Sequence, residues 1–174
     1  MIVIDLQPKF LTAICEAERV VDRTLFLARV ASLLGIPVLG TAQNPARLGT
    51  VEPRLTDLLT TPIIDKMSFS VLGEPSFHEE LRRTGRRQVV LVGVETHICV
   101  SHSCGDLLNR DYAVVVCPDA VSSRTMDRHK LGMERIRDSG AMPAHTESVA
   151  YEWLGSASHP KFREALAIVK ESTH

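Results

Sequence analysis

The stretch Gln88–Val94, QVVLVGV, constrains the fold most, because after its first residue it contains no polar side chain. A strand that is apolar on both faces belongs in a parallel sheet that helices cover on both sides. Residues 113–117, AVVVC, have the same character. The sequence therefore predicts an α/β protein built around a buried parallel sheet.

Segments with helical periodicity alternate with these strands. Residues 18–34 place apolar side chains at helical spacing, and Gly35 and Pro37 end that segment. Further strands are predicted at 1–4, 38–42, 62–65 and near Ala144, and further helices at 77–83, 98–108, 128–138, 148–154 and 160–170. The alternation predicts a three-layer, doubly wound (Rossmann-like) sheet of about six mainly parallel strands, with the expected order 3-2-1-4-5-6, in a single domain over residues 1–174.

The composition restricts the expected partners. The chain has 20 Lys plus Arg against 21 Asp plus Glu, without a long basic run interleaved with aromatic residues of the kind that binds nucleic acid. The start of the chain, MIVIDLQPKF, lacks the basic region of a secretory signal, and no stretch approaches the roughly 18 apolar residues of a membrane span. The four cysteines have neither zinc-site spacing nor the density of a disulfide framework. We expect a cytoplasmic protein with reduced thiols that acts on a small molecule, with no nucleic-acid or membrane partner.

Three reactive side chains lie at the ends of predicted strands. Asp5 ends the first strand, Lys66 follows the third and Cys99 follows the fourth. Open parallel sheets bind ligands at the carboxyl ends of their strands, where the strand order reverses. In the expected order the first and fourth strands flank that point. We therefore expect Asp5 and Cys99 to face each other, with Lys66 as a cation that stabilises both thiolate and carboxylate.

Cys99 by itself has two interpretations. A thiol in the first turn of a helix is stabilised as a thiolate by the positive end of the helix dipole. Free cysteine is also among the most buried residue types, so it is often only a packing residue at such a junction. Asp5 follows the apolar strand Ile-Val-Ile, where an ionised carboxylate needs a partner, and Lys66 follows a similar strand. These two charges favour the interpretation of Cys99 as a nucleophile over that of a packing residue.

Three segments resemble the signature segments of the isochorismatase-like cysteine hydrolases, namely VIDLQPKF around Asp5, IIDKMSFSVL around Lys66 and VLVGVETHICV around Cys99. Residues 117–141 and 159–166 are similar to the isochorismatase domain-containing branch of that superfamily. The resemblance implies that Asp5 takes the proton of Cys99, that Lys66 holds the charged pair, and that Cys99 attacks a carbonyl carbon to form an acyl-enzyme. It also implies a cis Val94–Glu95 bond and an oxyanion hole made by the backbone amides of Glu95 and Cys99.

The sequence departs from its metal-dependent relatives. Nicotinamidases of the superfamily carry an Asp and histidines between the second strand and the lysine, whereas residues 41–65 here contain no histidine. The resemblance therefore implies no metal and no cofactor, and a small amide, carbamoyl or related acyl substrate rather than nicotinamide.

Further residues are candidates for the substrate pocket. Gln43 follows the second strand, Phe10, Phe69 and Leu72 are candidates for an apolar wall, and His97 lies at a turn near the pocket mouth or a subunit boundary. Each of them also has an ordinary structural explanation as a turn or core residue.

Two residues that follow Cys99 have simpler explanations. We expect His102 to be solvated or packed. Cys104 lies about 140° around an ideal helix from Cys99, which disfavours a disulfide between them.

Two other functions remain open at this stage. A redox-sensing or glyoxalase-like cysteine protein would pair the thiol with a glutamate and would not need Lys66. A non-catalytic interaction protein is the third interpretation, because this fold commonly assembles, and we expect a homo-oligomer in any case.

Overall fold

In the computed structural model, which describes residues 1–172, six strands form one sheet with the order β3-β2-β1-β4-β5-β6. Every neighbouring pair of strands is parallel. The expected fold class and strand order are therefore confirmed. The strands are β1 (Ile2–Ile4), β2 (Leu39–Gln43), β3 (Ile64–Lys66), β4 (Gln88–Val94), β5 (Ala113–Ser122) and β6 (Met142–Pro143).

Helices cover both faces of the sheet. They are α1 (Pro8–Leu11), α2 (Ala17–Leu33), α3 (Pro45–Leu48), α4 (Pro75–Arg83), α5 (Ser101–Leu108), α6 (Met126–Asp138), α7 (Thr146–Leu154) and α8 (Phe162–Glu171). Short 3₁₀ turns occupy Pro53–Leu58 and Val71–Gly73, and a π-helical turn occupies Thr96–Val100. None of the helices within residues 1–172 is long and apolar enough to span a membrane.

Alternate residues of the central strands enter two separate cores. Val3 of β1 and Val92 of β4 pack in one core with residues of α2, α7 and α8. Ile4 and Leu91, which point to the opposite face, pack in the other core with residues of α4, α5 and α6. Because the side chains of a strand alternate between its two faces, a strand that is apolar throughout serves both cores at once.

The short helices α1 and α3 were not expected, and two of the expected elements differ from the sequence-based expectation. The strand expected at 113–117 continues to Ser122, and its pairing with β4 shifts between Leu91 and Gly93. Pro118 lies in that irregular part of the pairing, where its missing N–H interrupts no regular ladder bond.

The helix expected at 98–108 is the second difference. It begins earlier, as the π-helical turn in which the Val100 amide donates to the Glu95 carbonyl over 3.1 Å. Cys99 therefore lies inside a π turn and not in the first turn of an α-helix.

Candidate active site

Asp5 and Lys66 form a fully buried ion pair at the carboxyl edge of the sheet. Asp5 directly follows β1 with a positive φ of 53°, and Lys66 is the last residue of β3. Lys66 Nζ lies 2.7 Å from Asp5 Oδ2, and neither side chain has measurable exposure. β2 lies between β1 and β3, so the pair spans about two inter-strand spacings, or roughly 10 Å. A side chain as long as lysine is needed to cross that distance.

Both charges have further hydrogen-bond partners. Thr41 Oγ1 donates to Asp5 Oδ1 over 2.8 Å. Lys66 Nζ donates to Gln43 Oε1 and to the backbone carbonyls of Ser68 at 3.1 Å and Phe69 at 3.3 Å. A buried ion pair repays its desolvation only when such bonds satisfy the remaining lone pairs and protons. The surroundings therefore stabilise the charged pair.

Glu74 fixes the loop that supplies those carbonyls. Its Oε1 accepts from the Met67 amide at 3.0 Å, the Ser68 amide at 3.3 Å and the Ser68 hydroxyl at 2.9 Å. These bonds, the one from Met67 first among them, hold the pKa of the Glu74 carboxyl below its usual range. Gly73 completes the turn, because a Cβ there would lie 2.5 Å from Ser68 Oγ.

Cys99 completes the buried cluster. Its side chain follows β4, is 3% exposed and lies near enough to Asp5 and Lys66 for both charges to act on the pKa of the thiol. Sγ also lies 4.0 Å from Gln43 Oε1. Side chains from the ends of β1, β2, β3 and β4 thus meet at one point.

The thiol of this cluster is protonated. Burial first, and then the Asp5 charge, raise the pKa of the Cys99 thiol to about 12, although Lys66 opposes them. Desolvation and a like charge therefore outweigh the stabilisation of a thiolate that a helix start provides. Burial likewise raises the pKa of Asp5, against the lowering effect of Lys66. The resting cluster is a neutral thiol beside a carboxylate of raised basicity.

The turn before Cys99 has a tightly packed backbone. The Val94–Glu95 peptide bond is cis, and Gly93 has a φ of 110°. A Cβ at Gly93 would lie 2.1 Å from the Ile4 carbonyl oxygen, so β4 passes directly against β1 beside Asp5. The Glu95 carbonyl accepts from the amides of Ile98 and Val100, each at 3.1 Å. These contacts set the position of the thiol relative to Asp5.

Side chains that follow β4 and β5 hold the outer side of the π turn. The buried Glu95 carboxylate pairs with Arg124 Nε at 2.9 Å. His97 Nδ1 lies 2.9 Å from Ser123 Oγ, and burial lowers the pKa of His97. His97 is therefore a neutral imidazole at pH 7, bonded to the end of β5.

A second histidine, His129, fixes the start of this turn. Its Nδ1 lies 3.0 Å from Thr96 Oγ1. α6 approaches the turn closely, since a Cβ at Gly132 would lie 2.9 Å from the His97 Cα.

The other expected pocket residues divide into two groups. Gln43 contacts both the thiol and Lys66, and the buried Gln7 holds it in place: Gln7 Oε1 accepts from the Gln43 amide at 2.9 Å, and Gln7 Nε2 donates to the Gln43 carbonyl at 3.1 Å. Phe69 lies at the rim, with its ring edge against His102 at a centroid distance of 6.0 Å. Leu72 is buried in the core that includes Cys99, whereas half-buried Phe10 packs against the opposite core.

The site contains neither a disulfide nor a metal-ligand cluster within residues 1–172. Cys99 and Cys104 are both free thiols. In the part of the chain that the structure describes, no group of three His, Cys, Asp or Glu side chains is arranged to hold a metal ion.

The fold and this cluster define an α/β protein with a thiol, a carboxylate and an ammonium group at the topological switch point of the sheet. The chain belongs to the isochorismatase family, because the isochorismatase domain model matches residues 1–148. It is 37% identical over 168 residues to isochorismatase domain-containing protein 2A of Mus musculus, and the match covers 96% of this chain and 80% of the mouse protein.

Solved structures agree with this assignment. The MAR1 ribonuclease of Caenorhabditis elegans superposes with a TM-score of 0.92 at 34% identity, over 97% of this chain and 88% of that one. The YcaC protein of Escherichia coli, described as an octameric hydrolase of unknown specificity, has a TM-score of 0.88 at 20% identity, over 98% and 84% of the two chains. The fold is isochorismatase-like, and the family relationship supports a hydrolase activity.

Proposed function

We propose that this protein is a cysteine hydrolase that uses Asp5, Lys66 and Cys99 to cleave a small amide, carbamoyl or related acyl substrate. The observation that supports the proposal is that these three side chains, from three strand ends, lie in one buried cluster, where Asp5 pairs with Lys66 and Gln43 contacts both Lys66 and the Cys99 thiol. A nucleophile within reach of a base, with a third group that orients the base, is the arrangement that covalent catalysis requires.

The first half-reaction forms a thioester. Asp5 accepts the thiol proton while Cys99 Sγ bonds to the substrate carbonyl carbon, and the carbonyl electrons move onto the oxygen. The backbone amides of Glu95 and Cys99 are the proposed donors to that oxyanion. When the tetrahedral intermediate collapses, the carbon–leaving-group bond breaks and protonated Asp5 returns its proton to the leaving amine or alcohol.

The second half-reaction regenerates the thiol. Asp5 accepts a proton from water, the resulting hydroxide oxygen bonds to the thioester carbon, and the C–S bond breaks as the proton passes to sulfur. Lys66 keeps the charge of Asp5 balanced in its ionised form. The protonation of the resting cluster suits these steps, since a carboxylate of raised pKa is a better general base near neutral pH than an ordinary one.

The same cluster disfavours a redox sensor. Sensor cysteines are accessible thiolates of low pKa, whereas Cys99 is 3% exposed and has a raised pKa. The partners of the thiol are Asp5 and Gln43 rather than a glutamate.

Replacing the nucleophile tests the proposal directly. Wild type, Cys99→Ala and Cys104→Ala are assayed against primary amides, N-carbamoyl compounds and nitrophenyl esters. Cys104 is the matched control, because it is free and 1% exposed and burial alone raises its pKa. Cys99→Ala should lower kcat/KM by at least about 10³-fold and should abolish the acyl adduct in acid-quenched intact-mass spectra. Equal activity of Cys99→Ala and wild type would refute the nucleophile.

Single-stranded RNA belongs in the same panel, because the nematode relative is described as a ribonuclease. RNA cleavage that survives in Cys99→Ala, without acyl hydrolysis by the wild type, would replace the acyl proposal with a ribonuclease that does not use the thiol.

Asp5→Asn tests the role of Asp5 as a base separately from the reactivity of the Cys99 thiol. The Asp5 charge raises the pKa of Cys99, so Asp5→Asn should increase the thiolate fraction and speed alkylation of Cys99 by iodoacetamide at fixed pH. Hydrolysis should fall, because the variant lacks a proton acceptor. A fall of alkylation would show that Asp5 does not raise the pKa of the thiol, and unchanged hydrolysis would contradict the role of Asp5 as a base. Peptide-level mass spectrometry distinguishes Cys99 from the other three cysteines.

A homo-oligomer is part of the proposal, supported by the octameric relative from Escherichia coli. Light scattering coupled to size exclusion measures the mass directly, and a mass of 19.2 kDa would exclude assembly.

A further inference from the structure

A hollow of about 570 Å³ lies at the amino edge of the sheet, and arginine side chains line most of it. Its walls comprise Gly85 together with His78, Arg82, Arg86, Arg87, Arg110 and Tyr112. None of the described residues that line it carries a carboxylate. The volume lies within the range of small-molecule sites, roughly 300 to 1,000 Å³.

The fold brings two distant parts of the sequence together here. Four arginines occur in the segment RRTGRR at residues 82–87, where Gly85 turns the chain at the end of α4 with a φ of 66°. The Ala113 amide donates to the Arg87 carbonyl at 2.9 Å, which ties the start of β5 to the start of β4. Arg110, from the turn before β5, therefore faces the same hollow.

The four lining guanidinium groups are not neutralised by the protein. Within residues 1–172, none of Arg82, Arg86, Arg87 and Arg110 forms an ion pair with a carboxylate. The two glutamates of α4 are already engaged, because Arg83 pairs with Glu79 and Glu80 at 2.6 Å each. A chain with a formal net charge of −1 thus places four positive charges around one small volume.

Two of these arginines are held in place. The Arg87 guanidinium lies over the Tyr112 ring at 5.9 Å from its centroid, and Tyr112 is 7% exposed. Arg110 Nη1 donates to the Asp106 carbonyl at 3.3 Å. Anchored guanidinium groups lose less rotamer freedom when they bind an anion.

We propose that this hollow binds a small ligand with two adjacent phosphate groups, such as a diphosphate. Guanidinium groups bind phosphate through paired, charge-assisted hydrogen bonds, and a diphosphate has enough charge to offset the mutual repulsion of four arginines. The hollow precedes β4, whereas Cys99 follows it. The two places are therefore separated by the seven residues of the strand, or roughly 20 Å, and the proposal is independent of the thiol chemistry.

Calorimetric titration with pyrophosphate tests the site. Wild type should bind one pyrophosphate per chain at low salt, and the affinity should fall as NaCl is added. Arg86→Gln with Arg110→Gln should weaken binding at least tenfold. The control Arg135→Gln with Arg163→Gln, which removes two exposed charges elsewhere, should change it less than twofold. Cys99→Ala should bind pyrophosphate like the wild type even if the hydrolase proposal fails.

The absence of saturable pyrophosphate binding by the wild type would overturn the proposal, and so would equal weakening in the Arg86/Arg110 and control variants. A fluorescent 20-nucleotide RNA provides a third test: if it binds through Arg86 and Arg110 and pyrophosphate does not displace it, the hollow is part of a nucleic-acid surface. Inorganic phosphate in parallel distinguishes a diphosphate site from a general anion site, and equal affinity for the two would also contradict the proposal.

Discussion

Charged side chains have opposite environments at the two edges of the sheet. At the carboxyl edge, Asp5 and Lys66 are fully buried, and both take part in a network of bonds at 2.7 to 3.3 Å. At the amino edge, Arg82, Arg86 and Arg110 are exposed and lie near one another without carboxylate partners. Burial decides the difference, because a charge removed from water needs compensation from the protein, whereas an exposed charge is solvated and screened.

The two edges also suit different functions. A site that performs proton transfer needs its groups at fixed distances, and the buried network provides that order. A site that binds an anion needs positive charge that the protein has not neutralised. Only an exposed cluster can hold such charge at a low cost in folding free energy, because water solvates and screens it. Substitutions that change the charge balance at each edge test this difference.

Lys66→Met should have the largest effect on stability. The substitution keeps most of the length of the side chain but leaves Asp5 buried without its cation, which should cost about 3 to 5 kcal/mol at pH 7. Urea unfolding measures this loss, and Lys130→Met, at an exposed position, should change stability by less than about 0.5 kcal/mol.

The loss of stability in Lys66→Met should depend on pH, because the Asp5 carboxyl titrates. Loss of Lys66 removes the main influence that lowers the pKa of Asp5, so the folded-state pKa rises further above the unfolded value of about 3.9. A raised carboxyl pKa contributes stability that is present at low pH and is lost as pH rises through the folded pKa. The deficit should therefore shrink towards pH 4. A deficit that is constant from pH 4 to 8 would place its origin outside this pair.

The pH profile of hydrolysis should show the protonation of the intact cluster. Asp5 must be ionised to act as base, so kcat/KM should rise with pH through an apparent pKa above the ordinary range of aspartate. The thiol carries its proton up to a pKa of about 12, so no alkaline decline from thiol ionisation should occur below about pH 10. Alkylation of Cys99 should still increase tenfold per unit at pH 9 to 10, where a free thiol levels off. A plateau by pH 8 would indicate a stable thiolate and exclude general-base activation.

Thr41→Val should have an intermediate effect. It removes the hydroxyl that donates to Asp5 Oδ1 at 2.8 Å and leaves a buried carboxylate oxygen unsatisfied, at a cost of about 1 to 3 kcal/mol. The acid limb of the pH profile should move to higher pH, because this bond lowers the pKa of Asp5.

Thr24→Val is the matched control for that change. Thr24 is also fully buried, and its hydroxyl makes no hydrogen bond within the described residues, so the same substitution should be neutral or slightly stabilising. Equal destabilisation of the two variants would contradict the role of the Thr41 bond.

Much of the carboxyl edge could be predicted from the sequence. Apolar strands, right-handed crossovers and the rule that ligands bind at switch points placed Asp5 and Cys99 on facing strands, with Lys66 at a third strand end, and the family resemblance implied a role for each. The residues that hold these groups, Gln7 and Glu74, could not be predicted. Their side chains bond across loops whose shapes depend on tertiary packing, and neither lies in a local pattern with a fixed partner.

The same limit applies to the pKa of Cys99 and to the amino edge. A helix start predicts a low thiol pKa, but the burial that reverses it is a property of the assembled core. The segment RRTGRR is visible in the sequence, whereas its approach to Arg110 requires the β4–β5 pairing. The prediction that nucleic acid is not a partner rested on the absence of a long basic run in the sequence. A search for such runs does not detect charges that only the fold brings together.

The smallest predicted effect is a gain in stability at the amino edge. Arg86→Gln with Arg110→Gln removes like charges that face one hollow, so the free energy of unfolding should increase by about 0.2 to 1 kcal/mol at low ionic strength, as for other exposed charge interactions. The gain should disappear near 0.5 M NaCl, where the screening length falls to a few ångströms. Arg135→Gln with Arg163→Gln removes the same net charge from other surfaces and should show a smaller gain. A loss of stability in the Arg86/Arg110 variant at low salt would mean that these arginines stabilise the fold, and the contrast between the two edges would then not hold.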